Sequence, residues 1–408
     1  MTVDIHNYFS KFYDMSPYLN IDESEWAYIK ATWSMEEILD ALSDVCLTYA
    51  PPMPVYDEAV ISSDLSKLKG IKYSNLLIEQ EWFARNSENS KYSLKYGDKY
   101  LLFTRSMIGN KASSLFHNEV RWSVDHDRNI SGITSWSTKE GIIAILKAFF
   151  SFDEGMESVN RGSLQNATTL RRYIAAQFKP SIAKAFFDYY GSKNILDFSA
   201  GWGDRFAGFY ASDSGLNYVG IDPNSRNTPN YINQYHFYKS RATFFENTKT
   251  AHFIESPAED ADLSAYIDYF DMVFTSPPYF NTERYSNDPT QSWIRYKTID
   301  EWNVGFLHKT IDNILPTVKS GGIIAINIAD VFSPSGKKYF EIVNPMNDHF
   351  ASHGLTYLGA IGMQLAKRPN SGGAGTGVSE YYTDETKQKR LDTKHTAFAE
   401  PIWIWQKP

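Results

Sequence analysis

The sequence predicts an α/β protein: a mostly parallel sheet over residues 161–408, preceded by an N-terminal α+β region over residues 1–160. Three observations predict it. Short β-rich apolar runs recur at intervals wide enough for crossover helices. A glycine-bearing turn directly follows the first of these runs, and the texture of the chain changes near residue 160. Before that point, aromatic-rich segments are broken by turn-forming stretches such as Ala50 to Glu58 and Arg85 to Ser93, without regular alternation of strand and helix. This region is expected to serve as a target-recognition or accessory domain.

After residue 160 the elements can be taken in order. Thr169 to Gly191 reads as a helix, a Pro-marked restart at Lys179-Pro180, and an amphipathic helix closed by Gly191. Strands are expected from Asn194, Tyr218, His252, Asp271 and Gly321, the first four separated by helical crossovers. Two further runs, from Leu355 and from Glu400, lack a strong helix between them and are expected to pair antiparallel. The glycine-rich stretch Ser371 to Gly377 reads as a loop.

Composition narrows the function. With 42% apolar and 15% aromatic residues among 408, the chain can bury one large core and a smaller one. A single cysteine, Cys46, excludes a disulfide framework or a cysteine-based zinc cluster. No apolar run approaches the roughly 20 residues of a membrane helix, and no basic start leads into an apolar segment, so a cytoplasmic protein without a membrane partner is expected. A net charge of −8 weighs against bulk attraction to nucleic acid. Locally, Arg161, Arg171, Arg172, Lys179, Lys184, Lys193 and Arg205 outnumber the acids between them, which fits a phosphate-facing patch as well as it fits a solvated helix face.

The first strand runs into Asp197-Phe198-Ser199-Ala200-Gly201-Trp202-Gly203, a turn whose glycines let backbone approach a ligand closely. The second strand ends in Gly220-Ile221-Asp222-Pro223, placing a carboxylate where it can accept hydrogen bonds from two ribose hydroxyls. Together they favour an adenosine cofactor. A third fingerprint glycine and a P-loop lysine are both missing, which disfavours NAD and ATP. The fourth strand ends in Thr275-Ser276-Pro277-Pro278-Tyr279. Two successive prolines fix φ and remove two N–H donors, leaving a rigid turn of acceptors. Such a turn suits an exocyclic amino group of a base, whose lone pair is delocalised into the ring. Accepting its two N–H bonds with the Ser276 hydroxyl and the Pro277 carbonyl favours a more tetrahedral nitrogen. Tyr279 is then expected to stack on a base flipped out of its helix.

Taken together, these motifs resemble the S-adenosylmethionine (SAM) dependent amino-methyltransferases of DNA, which make N4-methylcytosine or N6-methyladenine. The resemblance covers roughly Thr169 to Pro408. It implies a seven-stranded Rossmann-like SAM-methyltransferase sheet with an antiparallel last strand. It also implies that SAM lies over Asp197, Ser199, Ala200, Gly201, Trp202 and Gly203, with Ser199 and Ala200 replacing the more usual residues of that loop. Phe178-Lys179-Pro180 looks like the motif that holds the methionine end of the cofactor, and Ala258 and Glu259, in Ser256 to Asp260, would lie near the adenine ring. Serine at the head of the Ser-Pro-Pro-Tyr turn shifts the expectation toward cytosine N4.

The short interval between the glycine loop and the proline turn leaves no room for a recognition domain there. Recognition is expected from the N-terminal region, the loop Phe280 to Trp302, or the basic loop Lys367 to His395. DNA is the expected partner, with RNA as a further candidate. Several rivals remain: an RNA or protein amide methyltransferase with the same turn, a transferase using a SAM derivative, and a SAM- or DNA-binding subunit without catalysis. Methylation at cytosine C5 needs a Pro-Cys turn, whereas Cys46 follows Val45. No metal is expected. His349 and His353, four apart, read as surface or capping residues.

Overall fold

The computed structural model describes residues 4–81, 83–84, 90–125, 130–152, 154–333, 338–365 and 397–408. The main strands of its large sheet are β1 (Leu77–Gln80), β2 (Tyr100–Phe103), β3 (Asn194–Asp197), β4 (Asn217–Asp222), β5 (Thr250–Glu255), β6 (Phe270–Thr275), β7 (Val318–Asn327), β8 (Thr356–Gln364) and β9 (Ala397–Gln406). They form one sheet in the order β1-β2-β8-β9-β7-β6-β3-β4-β5, and Phe83–Ala84 adds a short parallel pairing to β9. From β8 to β5 this is a seven-stranded α/β sheet in which the last strand, β9, runs antiparallel between β7 and β8. The pairs β7/β6, β6/β3, β3/β4 and β4/β5 are all parallel. Their carboxyl ends therefore share one edge, where ligands of such sheets bind.

Side chains alternate across the sheet because successive strand residues point to opposite faces. Leu196, Val273, Ile324, Trp403 and Trp405 enter one core, while Ile195, Met272, Phe274, Ile323 and Ile404 enter the other. Cover comes from α1 (Glu58–Gly70), α2 (Pro180–Tyr190), α3 (Asp204–Ala211), α4 (Thr228–Lys239), α5 (Lys309–Ile314) and α6 (Val343–Ser352). The expected restart at Lys179-Pro180 is α2, with Pro at its first position and Gly191 closing it in the left-handed conformation at φ 62°. The helix before it spans Arg161–Arg171 under an Asn160 cap, so it begins and ends earlier than the periodicity suggests.

Two expectations change. A helix was expected between β5 and β6, but the chain there makes only short 3-10 turns at Ala258–Asp260 and Ser264–Tyr266. The single boundary expected at residue 160 is replaced by two discontinuous units. Residues 57–116 join 177–283 and 287–408, because β2 pairs with β8 in register Leu101 to Ile361. The other unit comprises 1–56, 117–176 and 284–286. While the strands expected within residues 1–160 lie mainly at 77–80, 83–84 and 100–103 in the first unit, this one is largely helical, with one two-residue strand pair, Asn20–Ile21 against Val159–Asn160. Its core gathers Trp26, Ile38, Leu42, Trp136, Ile145 and Leu164.

Candidate active site

Asp197, at the carboxyl end of β3, is completely buried and receives hydrogen bonds from four residues. Arg205 donates through Nε at 2.7 Å and through Nη2 at 3.1 Å. The Tyr218 hydroxyl donates at 2.7 Å, the Thr275 hydroxyl at 2.8 Å and the Ser199 N–H at 3.3 Å. A bidentate guanidinium pair with both oxygens further occupied is the strong form of buried ion pair. Asp197 thus works as a brace for the loop rather than as an open ligand. Through Thr275 it ties the glycine loop to the strand that ends in Ser276, and Arg205 also donates to the Ser199 carbonyl.

The loop itself turns on two left-handed glycines, Gly201 at φ 59° and Gly203 at φ 67°, positions that a side chain would strain. Gly203 then caps α3, whose first N–H groups face the loop. Ala200 N–H donates to the Ile221 carbonyl at 2.9 Å, and Ala200 and Trp202 are both buried. The carbonyl of Gly201 accepts from Asn227 at 3.1 Å and from the Tyr231 hydroxyl, and that of Gly203 accepts from Gln234 at 3.0 Å. These three side chains of the β4–α4 segment fix the loop, and motif reading gave no hint of them.

Asp222 ends β4 with different partners. Its oxygens accept backbone N–H bonds from Gly201 at 2.9 Å and from Asn224 at 2.8 Å. Burial pushes this carboxyl up to about 6, against the Asn224, Gly201 and Tyr231 hydrogen bonds that hold it down. Asn224 was also missed, although Asp-x-Asn is a turn-forming pattern. Its side-chain oxygen accepts from the Arg226 N–H at 3.2 Å, and its buried Nδ2 has no acceptor among the described residues. A buried donor without a partner is rare enough to require an explanation, and a ligand at this loop supplies one. Pro223 beside it accepts from the Thr290 hydroxyl at 3.4 Å.

Phe178-Lys179-Pro180 lies against the same structure. The Phe178 ring meets Phe274 edge-on at 5.7 Å and carries the Arg205 guanidinium at 5.1 Å. Lys179 opens α2, its carbonyl accepting from Ile182 at 2.9 Å. Gln177, not anticipated, bonds at 3.1 Å to the buried Asp204 of α3. The lysine-proline segment, the glycine loop and the end of β6 are therefore brought together.

In the turn after β6, Pro277 is buried, while Ser276, Pro278 and Tyr279 are half-buried. Tyr279 donates its N–H to Glu283 at 3.0 Å, and Phe280 follows at φ 45°. Burial raises the Glu400 carboxyl of β9, and the neighbouring Tyr279 and Asn327 side chains offset part of that rise. Glu400 was read only as the start of a strand. Its signal was a lone acid in the apolar run Ala399 to Trp405.

Other expected residues are engaged elsewhere. Glu259 is buried and accepts from Arg295 at 2.6 Å and from the Tyr296 hydroxyl at 3.0 Å, while Asp260 holds Arg295 and Lys309. Burial raises the Glu259 carboxyl, and Arg295 lowers it again. The carbonyl of buried Ala258 accepts from Asn313 at 3.0 Å. This turn is a lock between the end of β5 and the loop that follows the proline turn.

Four residues of the expected basic patch have partners within the chain. Lys184 is buried against Asp188 and Arg205 against Asp197. In the other unit, Arg171 donates to the Lys147 carbonyl and the Ser151 hydroxyl, and Arg172 to the Gly141 carbonyl. Carbonyl and hydroxyl oxygens of the chain accept from these arginines. The basic loop from Lys367 to His395 lies outside the described residues.

No family model and no curated protein matches the chain. Among solved structures it is similar to a putative S-adenosylmethionine dependent methyltransferase from Listeria monocytogenes, at 12% identity over 56% of this chain and 99% of that one, TM-score 0.31. It is also similar to a 1,6-didemethyltoxoflavin-N1-methyltransferase from Burkholderia thailandensis, at 13% identity over 56% and 77%, TM-score 0.31. A third is a precorrin-6y C5,15-methyltransferase from Geobacter metallireducens, at 14% identity over 55% and 86%, TM-score 0.29. The fold assignment rests on strand order and register rather than on these likenesses.

Proposed function

We propose that the chain is a SAM-dependent methyltransferase acting on an exocyclic amino group of a base in DNA, with cytosine N4 favoured over adenine N6. The observation that carries this reading is the Thr275–Asp197–Arg205 connection, which holds a cofactor-type glycine loop next to a Ser-Pro-Pro-Tyr turn. The residues fit the cofactor. Left-handed glycines expose backbone at Gly201 and Gly203, Asp222 offers carboxylate oxygens for ribose hydroxyls, and Asn224 Nδ2 is a buried donor in want of an acceptor. When bound there, SAM supplies an electrophilic methyl group on a sulfonium.

The chain's own residues do the rest. Ser276 Oγ and the Pro277 carbonyl accept the two N–H bonds of the amino group and so concentrate its lone pair. Tyr279, held at its N–H by Glu283, offers a ring face to the base. Arg295, locked on Glu259 and Asp260, restrains the loop that follows the turn.

Mass spectrometry of nucleosides from the DNA of a cell expressing the chain tests this directly. N4-methylcytosine is expected. N6-methyladenine would keep the reaction and change the base. Unmodified DNA together with methylated RNA or protein would overturn the substrate.

A further inference from the structure

Two helices that approach the opposite edge of the sheet carry an arrangement with no part in this chemistry. α5 ends just before β7 begins, and α6 ends just before β8, which runs in the same sense as β7. Their ends therefore lie at the amino ends of these strands, whereas Asp197, Asp222 and Ser276 follow carboxyl ends. Within α6 and at its cap, His349 and His353 are four residues apart and share one helix face. Both aim Nε2 at the same atom, Asp312 Oδ1 of α5, at 2.7 and 2.9 Å.

We propose that Asp312, His349 and His353 form a binding site for a divalent transition-metal cation of the zinc class. Two imidazole nitrogens and one carboxylate oxygen from two helices are a donor set that Zn²⁺, and likewise Co²⁺ or Ni²⁺, accepts. All three donor atoms already lie within 4.8 Å of one another. Tetrahedral zinc, with bonds of about 2.0–2.2 Å, needs its donors roughly 3.3 Å apart, so each histidine nitrogen must move about half an ångström away from the Asp312 oxygen to admit the ion. The side chains are 20%, 39% and 52% exposed for His349, His353 and Asp312, which leaves a path to solvent and a coordination position for water. The His308 ring stacks flat on His349, with centroids 4.2 Å apart and planes at 7°, and its own Nε2 meets the Pro345 carbonyl at 3.2 Å. That stack fixes the plane of a metal-binding imidazole, as outer-shell groups commonly do.

A second cluster shows what an internally satisfied site looks like. In the helical unit His6 and Asp40 lie 3.6 Å apart, but Lys139 Nζ reaches Asp40 and Asp44 at 2.8 Å each, so the chain's own ammonium occupies the space between the carboxylates. At Asp312 no lysine or arginine of the described residues lies within ion-pair distance, and its close partners are the two histidines. An ion there would clamp α5 to α6 and act on stability, not on transfer.

Calorimetric titration of the tag-free, metal-stripped chain with Zn²⁺, with Co²⁺ absorption as a second readout, tests the site. One equivalent is expected at this site, with a tetrahedral-type Co²⁺ spectrum and a raised melting temperature. His349→Ala and Asp312→Asn should each weaken Zn²⁺ binding by about tenfold or more. Both positions are accessible, and unchanged SAM affinity in both variants would verify that the fold is intact. Absence of binding, or a loss below tenfold in either variant, would overturn the proposal.

Discussion

Asp197 and Asp222 end neighbouring strands of one sheet, the first buried and the second half-buried, and their surroundings give them opposite tasks. Asp197 is filled by a guanidinium, two hydroxyls and one N–H, all from the chain. Asp222 has two backbone N–H partners, and burial, with the Asp197 charge adding to it, raises its carboxyl to about 6. A carboxylate whose lone pairs are spent braces the loop, while one that is half-buried and only partly satisfied is disposed toward a ligand. Position in a motif does not separate the two; their partners do.

The largest effect should come from breaking the brace. Asp197→Asn leaves the Arg205 guanidinium buried without its counter-charge and should cost about 3–5 kcal/mol of stability in chemical denaturation. A variant as stable as the parent would reduce Asp197 to an ordinary polar residue and erase the contrast. Asp222→Asn should behave the other way, with a smaller loss of stability but SAM binding weaker by roughly 1–3 kcal/mol, the cost of losing hydrogen bonds to a charged acceptor. Calorimetry giving unchanged affinity would take the ribose away from this acid.

The same difference has a pH signature. The folded state holds the Asp222 proton up to about 6, above the ordinary value for Asp, so the unfolded chain loses its proton first as pH rises. This residue's contribution to stability is therefore largest at acid pH and declines as pH rises toward 6. Ribose hydroxyls need the ionised form, so SAM affinity should rise across the same window and level off above it. In Asp222→Asn that rise should disappear; a rise of equal size in the variant would assign it to another group.

The smallest effect is expected at Arg171 and Arg172. Since both donate to carbonyl oxygens of the helical unit, replacing them together by alanine should lower the melting temperature and leave the salt slope of DNA binding unchanged. A slope reduced by about one unit per residue would return them to phosphate contact.

What could be read from the sequence follows from what is local. The strands announced themselves through apolar runs, and the glycine loop, Asp222 and the proline turn through residues whose backbone or charge has few other uses. Partners contributed from a distance left no such mark. Glu400 reaches Tyr279 only because β9 inserts beside β7, and Arg295 meets Glu259 only because the loop after β6 folds back. The strands at 77–80 and 100–103 were hidden for the same reason: they are short and gain their place by pairing with β8, far along the chain. Arg171 and Arg172 show the converse, since charge counted along the chain could not reveal that backbone carbonyls accept from them.

The account depends most on the Ser276 to Tyr279 turn, and single-turnover transfer of labelled methyl from SAM to duplex DNA, with enzyme in excess, tests it most directly. Ser276→Ala should slow transfer by about 10²–10³, by analogy with the loss of one positioned oxyanion-hole group, while calorimetry shows SAM binding unchanged. Equal transfer rates for Ser276→Ala and the unaltered chain would contradict the account.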